Sequence, residues 1–196
     1  MPARGVVQGA TGVVEEVDLA LEVPRWAARF YLRHLAVVVG ISLVPATQRA
    51  VGQLWGERLP GALNVGLELV TMASRVLLVV VVFRLAILAE ERLRGVSGSE
   101  GMRRVVRFTR RHWGSLLVQA GMLVVAFVML DRIPEAVIAP RISESWRRVY
   151  WAALLATKNL TIIALTLIWE IGLLRQMLLH EDGSDRETRG PSRRRT

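Results

Sequence analysis

The chain has 196 residues, with 26 Lys or Arg against 17 Asp or Glu, a formal net charge of +9, 52% hydrophobic residues and a mean hydropathy of +0.36. Soluble domains are about 45–50% apolar, so a positive mean hydropathy at this length points to a membrane protein. The absence of cysteine excludes disulfide scaffolds, thiolate zinc sites, iron–sulfur clusters and cysteine nucleophiles.

Residues 1–27 read as an N-terminal segment outside the membrane. Residues 1–12 carry little to bury and are expected to be disordered. Val13–Val23 is expected to form a short interfacial helix that stops at Pro24, with its apolar side on lipid. A signal peptide starts short and basic, whereas this segment is long and holds Glu15, Glu16, Asp18 and Glu22.

Four apolar stretches follow, and a bilayer-spanning helix needs about 20 residues. The first has a clean core at Leu35–Ala46, interrupted by Pro45. It reaches full length when Phe30–His34 joins it and Arg33 snorkels to the surface. Proline is tolerated there if a neighbouring helix satisfies the carbonyl it frees. The second stretch, Ala62–Phe83, is the clearest span, and Asn64, Glu68, Thr71 and Arg75 share one of its faces at spacings of 4, 3 and 4. Together these make a first hairpin, residues 28–94.

Residues 95–105 read as a linker, Gly95-Val-Ser-Gly-Ser-Glu-Gly101 at its core. Its glycines lack the Lys-Ser/Thr and the preceding strand of a phosphate loop. Arg103, Arg104, Arg107, Arg110 and Arg111 come next. Arginine at 104, 107 and 110 has the period of a voltage sensor but no apolar matrix around it. Anionic lipid headgroups fit better, at about 1 kcal/mol per basic residue.

The second hairpin, residues 106–180, contains Trp113–Leu130, eighteen residues without a charge, and a fourth stretch from about Ala152 to Leu174. Asn159, Thr166 and Glu170 share a face of the fourth at spacings of 7 and 4, with Lys158 roughly 100° away. Asp131–Arg148 reads as the loop between them. The tail, 181–196, is basic and nearly devoid of apolar residues, hence expected to be disordered.

Basic residues divide unevenly between the connecting segments. Eighteen precede the first span, join the second to the third or follow the fourth; six (Arg49, Arg58, Arg132, Arg141, Arg147 and Arg148) lie on the other side. The positive-inside rule therefore puts both termini in the cytoplasm of a multi-pass cell-membrane protein. The same bias accounts for the basic clusters without nucleic acid. Of the 26 basic residues only Lys158 is lysine, the coding bias of a GC-rich bacterial genome.

The chain also reads as a duplicated hairpin. Arg29-Phe30-x-x-Arg33-His34 precedes the first span and Arg107-Phe108-x-x-Arg111-His112 the third, at an offset of 78. After the second span Arg84 precedes Glu90-Glu91, and after the fourth Arg175 precedes Glu181-Asp182, at an offset of 91. Two parallel repeats related by an axis along the membrane normal would give this pattern.

The fold class is thus all-α, four transmembrane helices in two hairpins. Charges inside a membrane usually pair in the bundle interior, and a structural role is the plainer interpretation of them. Matching depths predict Arg75–Glu170 as the first contact and Glu68–Lys158 as the second. His34 and His112 lack carboxylates at ligand spacing, so no metal or cofactor is implied, and Ser97, Ser99 and Ser115 lie in no nucleophile motif. The function expected is non-enzymatic: an accessory or structural subunit acting on another membrane protein or a second copy. A small transporter or channel using the charged face of the second and fourth helices is the alternative.

Overall fold

The computed structural model describes residues 3–55 and 60–180, with side chains from Val14 onward. The basic tail lies outside the described residues. Every described element is helical, and four helices are long and apolar enough to cross a membrane: helix 1, Leu35–Trp55; helix 2, Gly61–Leu88; helix 3, Trp113–Arg141; helix 4, Glu144–Leu179.

In order, α1 covers Ala3–Arg33 and α2, Leu35–Trp55, forms helix 1. Helix 2 is α3, Gly61–Phe83, extended by a π-helical turn at Arg84–Leu88. The amphipathic α4 covers Gly98–Arg111. Helix 3 is α5, Trp113–Phe127, continued by distorted turns to Arg141. Helix 4 is α6, Glu144–Lys158, and α7, Ala164–Leu179, joined by a π-helical turn at Asn159–Ile163.

α1 departs from the expected short helix. It runs unbroken through Pro24, and its backbone is already helical at Ala3. Proline removes one intrahelical bond, but packing holds the helix together across it. Ala20, Val23, Ala27 and Phe30, at helical spacing, are buried, and α1 packs on α7 and α5. The apolar stripe therefore faces protein rather than lipid. The reason lies in Gly172 of α7, whose missing side chain admits the Trp26 ring; a Cβ there would stand 2.6 Å from it. The glycine-rich stretch expected as a linker is helical from Gly98, where the Ser97 hydroxyl caps the helix by accepting from Glu100 N at 3.3 Å.

Pro45 behaves as membrane helices require. It cannot donate to Ile41 O, four residues back, and Ser74 of α3 supplies the missing bond, Oγ to Ile41 O at 2.7 Å. Helices 1 and 2 consequently pack antiparallel along their length. Helix 1 also packs on α6, so at that end it lies between helix 2 and helix 4. At the other end α7 meets α3 directly, and Val38, Leu78, Val82, Ala164 and Ile168 form a shared core with Ala27 and Phe30 of α1.

Candidate functional site: charged and polar groups in the bundle

Among the described residues Lys158 is the one buried cation, 5% exposed. Its Nζ donates to Asp131 Oδ1 and to Glu135 Oε1, each at 2.7 Å. Both acids belong to the continuation of helix 3, four residues apart and so on one face. Sequence reasoning placed them in a loop. The signal was present as the Asp131/Glu135 spacing, but the uncharged run ends at Leu130. The π turns let the chain continue through Pro134, and Tyr150 Oη binds Pro134 O at 2.9 Å. The triad ties helix 3 to helix 4 at the end opposite the arginines.

The expected partners of the second-helix face are not the observed ones. Glu68 pairs with Arg49 of helix 1 at 3.1 Å and accepts from Gln48 Nε2 at 3.2 Å. Helix 1 occupies the space through which Glu68 would have reached Lys158. Arg75 donates to Asn159 Oδ1 at 3.2 Å, not to Glu170. Thr71 is buried, while Asn64 at the start of helix 2 is exposed. The structure thus brings Arg75 and Asn159 together and leaves Glu68, Lys158 and Glu170 in separate places.

Two physical causes explain the misplaced pairing. Helix 4 begins at Glu144, eight residues before the Ala152 from which depth was counted, so its register against helix 2 differs from the expected one. Arg75 therefore lies level with Asn159, which leaves Glu170 eleven residues, roughly 16 Å, further along. The π turn at Asn159–Ile163 is the second cause. It carries more residues than an α turn, so the face downstream rotates relative to an ideal helix. Asn159 is buried, Thr166 is half-buried with its hydroxyl on Ile162 O at 2.9 Å, and Glu170 is exposed without a hydrogen bond or ion pair among the described residues. Two side chains donate to carbonyls at the turn: Asn159 Nδ2 to Leu155 O at 2.8 Å, and Tyr31 Oη of α1 to Leu160 O at 2.9 Å.

Glu170→Gln is consequently expected to leave thermal stability unchanged or to raise it. A charge within a membrane helix costs about 2.5–3.5 kcal/mol on insertion scales, and no partner is lost. Melting of the purified protein in detergent measures this; a clear loss of stability would restore the pairing that the sequence suggested.

The arginine-rich end holds a second polar network that sequence reasoning missed. Gln119 of α5 accepts from Trp169 Nε1 at 3.2 Å and donates to Gln176 Oε1 at 3.3 Å; Gln176 Nε2 donates in turn to Leu19 O at 2.7 Å. Glu16 of α1 caps helix 3, accepting from Ser115 N at 2.7 Å, with His112 Nδ1 3.2 Å from its other oxygen. A carboxylate at a helix N-terminus is favoured by the helix dipole. Arg175 pairs with Glu90 and lies 5.5 Å from the Trp26 ring. In α4, Arg103 pairs with Glu100 at 3.0 Å, and Arg104 donates to Leu178 O at 3.0 Å; Arg107, Arg110 and Arg111 are exposed. Met102, Val106 and Trp113 form an exposed apolar stripe beside them.

No protein-family model, no curated protein and no solved structure matches this chain.

Proposed function

We propose that this chain is a non-enzymatic accessory subunit of the cell membrane, which helps assemble, stabilise or regulate another membrane component. The observation that carries this reading is the poor cover of helix 3. Only 11% of its most apolar window is buried in the chain, against 28–33% for the other three spans. Leu117, Val124, Val125 and Val128 are all exposed along it. The internal charges, meanwhile, join helices within the chain: Lys158 to helix 3, Arg75 to helix 4, Glu68 to helix 1. The transporter alternative relied on one charged face shared by helices 2 and 4, and those residues stand apart. A photo-crosslinking residue at Val124 in native membranes is expected to yield discrete protein adducts, either a second copy or another membrane protein. The same residue at Leu77, exposed on helix 2, serves as the lipid-facing control. Lipid adducts alone at both positions would refute the reading.

The proposal includes cytoplasmic termini, on the strength of the arginine asymmetry, and α4 lying in the headgroup layer with its arginines on anionic lipid. The chain has no native cysteine, so labelling is clean. Ser99→Cys is expected to resist a membrane-impermeant thiol reagent in intact cells, and Ser145→Cys to react. Labelling of Ser99→Cys from outside would invert the topology.

Duplication of an ancestral hairpin belongs to the same proposal, supported by the two matching approaches to the membrane. At each, a helix ends on arginine, a histidine breaks it, and the next helix starts: Arg33, His34, Leu35 and Arg111, His112, Trp113. Phe30 lies against His34 at 4.6 Å and 46°, Phe108 against His112 at 5.0 Å and 41°. The far ends are staggered, since Glu90 rather than Arg84 meets Arg175.

A further inference from the structure

A cluster of basic groups surrounds a cavity where the end of α1 meets the end of helix 2. A cavity of about 520 Å³ opens there between Trp26, Phe30 and His34 on one side and Leu85, Ala86 and Glu90 on the other. Four guanidiniums line it, those of Arg29, Arg33, Arg92 and Arg175, against the two carboxylates of Glu90 and Glu91. Glu90 is taken by Arg175, and Glu91 by Arg94 at 4.0 Å. Arg29, Arg33 and Arg92 are left without a carboxylate among the described residues. They come from two separate segments of the chain, so their convergence is a product of the fold rather than of one arginine-rich run.

We infer that this cavity binds the phosphate ester of an anionic phospholipid, with Arg29, Arg33 and Arg92 as the phosphate ligands and the acyl chains running along helix 2. Guanidinium forks match phosphate oxygens in pairs, and a phosphate ester offers several oxygens to several forks. The lipid source follows from the walls. Leu85 and Ala86 belong to the apolar span of helix 2, and exposed Leu32, Leu35 and Leu88 continue the surface beside the mouth. A soluble phosphate ester would leave that apolar border uncovered. Arg175 is a positioning residue here: stacked over Trp26 and paired with Glu90, it removes the carboxylate that would otherwise repel the phosphate. The site is separate from the arginines of α4 and does not depend on the accessory role.

Native mass spectrometry of the full chain in mild detergent tests this, with phosphatidylglycerol, phosphatidylcholine of the same chains, and glycerol 3-phosphate as probes. Phosphatidylglycerol is expected to bind in preference to phosphatidylcholine at one saturable site. Arg33→Gln combined with Arg92→Gln should weaken it roughly twenty-five-fold, since each basic residue at a lipid surface contributes about fivefold. A control pair, Arg141→Gln with Arg147→Gln, removes the same charge at the opposite end of the bundle and should change binding little. Arg33→Lys with Arg92→Lys keeps the charge should the glutamine pair fold poorly; it is expected to bind more weakly than the parent because lysine has no fork. Equal losses in the pocket and control pairs, equal binding of the two lipids, or parental affinity in the lysine pair would each overturn the proposal. Displacement of the lipid by stoichiometric glycerol 3-phosphate would overturn it in favour of a soluble phosphate ester.

Discussion

Lys158→Met is expected to cut the amount of folded protein in the membrane severely. The substitution keeps the length of the side chain but strands Asp131 and Glu135, both 2.7 Å from the missing ammonium. Removing one partner of a buried ion pair costs about 3–5 kcal/mol. Native stabilities are only about 5–15 kcal/mol, so the loss is a large part of the whole. Adding Asp131→Asn and Glu135→Gln to Lys158→Met should recover much of it, because neutral amides no longer demand a counter-charge. Abundance in membranes and thermal melting in detergent both report the effect. A triple variant no better than Lys158→Met would show that the triad does not act as one unit. Undiminished abundance together with a lost solute flux would instead identify the triad as a transport site.

Gly172→Ala should also destabilise, although alanine is the better helix former by about 1 kcal/mol. The new methyl would stand 2.6 and 2.7 Å from carbons of the Trp26 ring and 3.3 Å from Val23. Trp26 lies against Phe30 at 5.0 Å and Arg175 at 5.5 Å, so withdrawing from the new methyl would disturb both contacts. Overpacking of this kind costs about 1–3 kcal/mol, and Gly172→Leu should cost more. Combining Gly172→Ala with Trp26→Leu is expected to recover part of the loss. A melting temperature for Gly172→Ala at or above the parent's would mean that α1 is not locked onto helix 4 at this contact.

The four spans were legible because uninterrupted apolar length is a strong signal, and Pro45 was legible as a tolerated proline whose carbonyl needs an outside donor. The partner, Ser74, was not: a lone serine in an apolar run carries no mark of the bond it makes. The triad went unseen because Asp131, Arg132, Pro134 and Glu135 look like a loop when helices are assumed to be α throughout. The same assumption put Glu170 on the inner face, since helical periodicity is counted through Asn159–Ile163 as if the turn were regular. The approach of Glu16 to Ser115, ninety-nine residues away, depends on where α1 lies, and nothing local in the sequence encodes it. Buried polar residues were thus predicted by type, while their partners depended on register and on the irregular turns of helices 3 and 4.

The Lys158 triad bears on how the chain enters the bilayer during synthesis. Helices 2 and 3 have the most apolar windows, with mean hydropathy 2.2 and 2.0. Helix 4 carries an ammonium near its middle, and the C-terminal part of helix 3 carries two carboxylates. Each would oppose insertion if its helix left the translocon singly. Since the acids precede the lysine by 27 and 23 residues, they are made first and are waiting when it emerges. Insertion of helices 3 and 4 together would bring the acids and the lysine into the bilayer already paired.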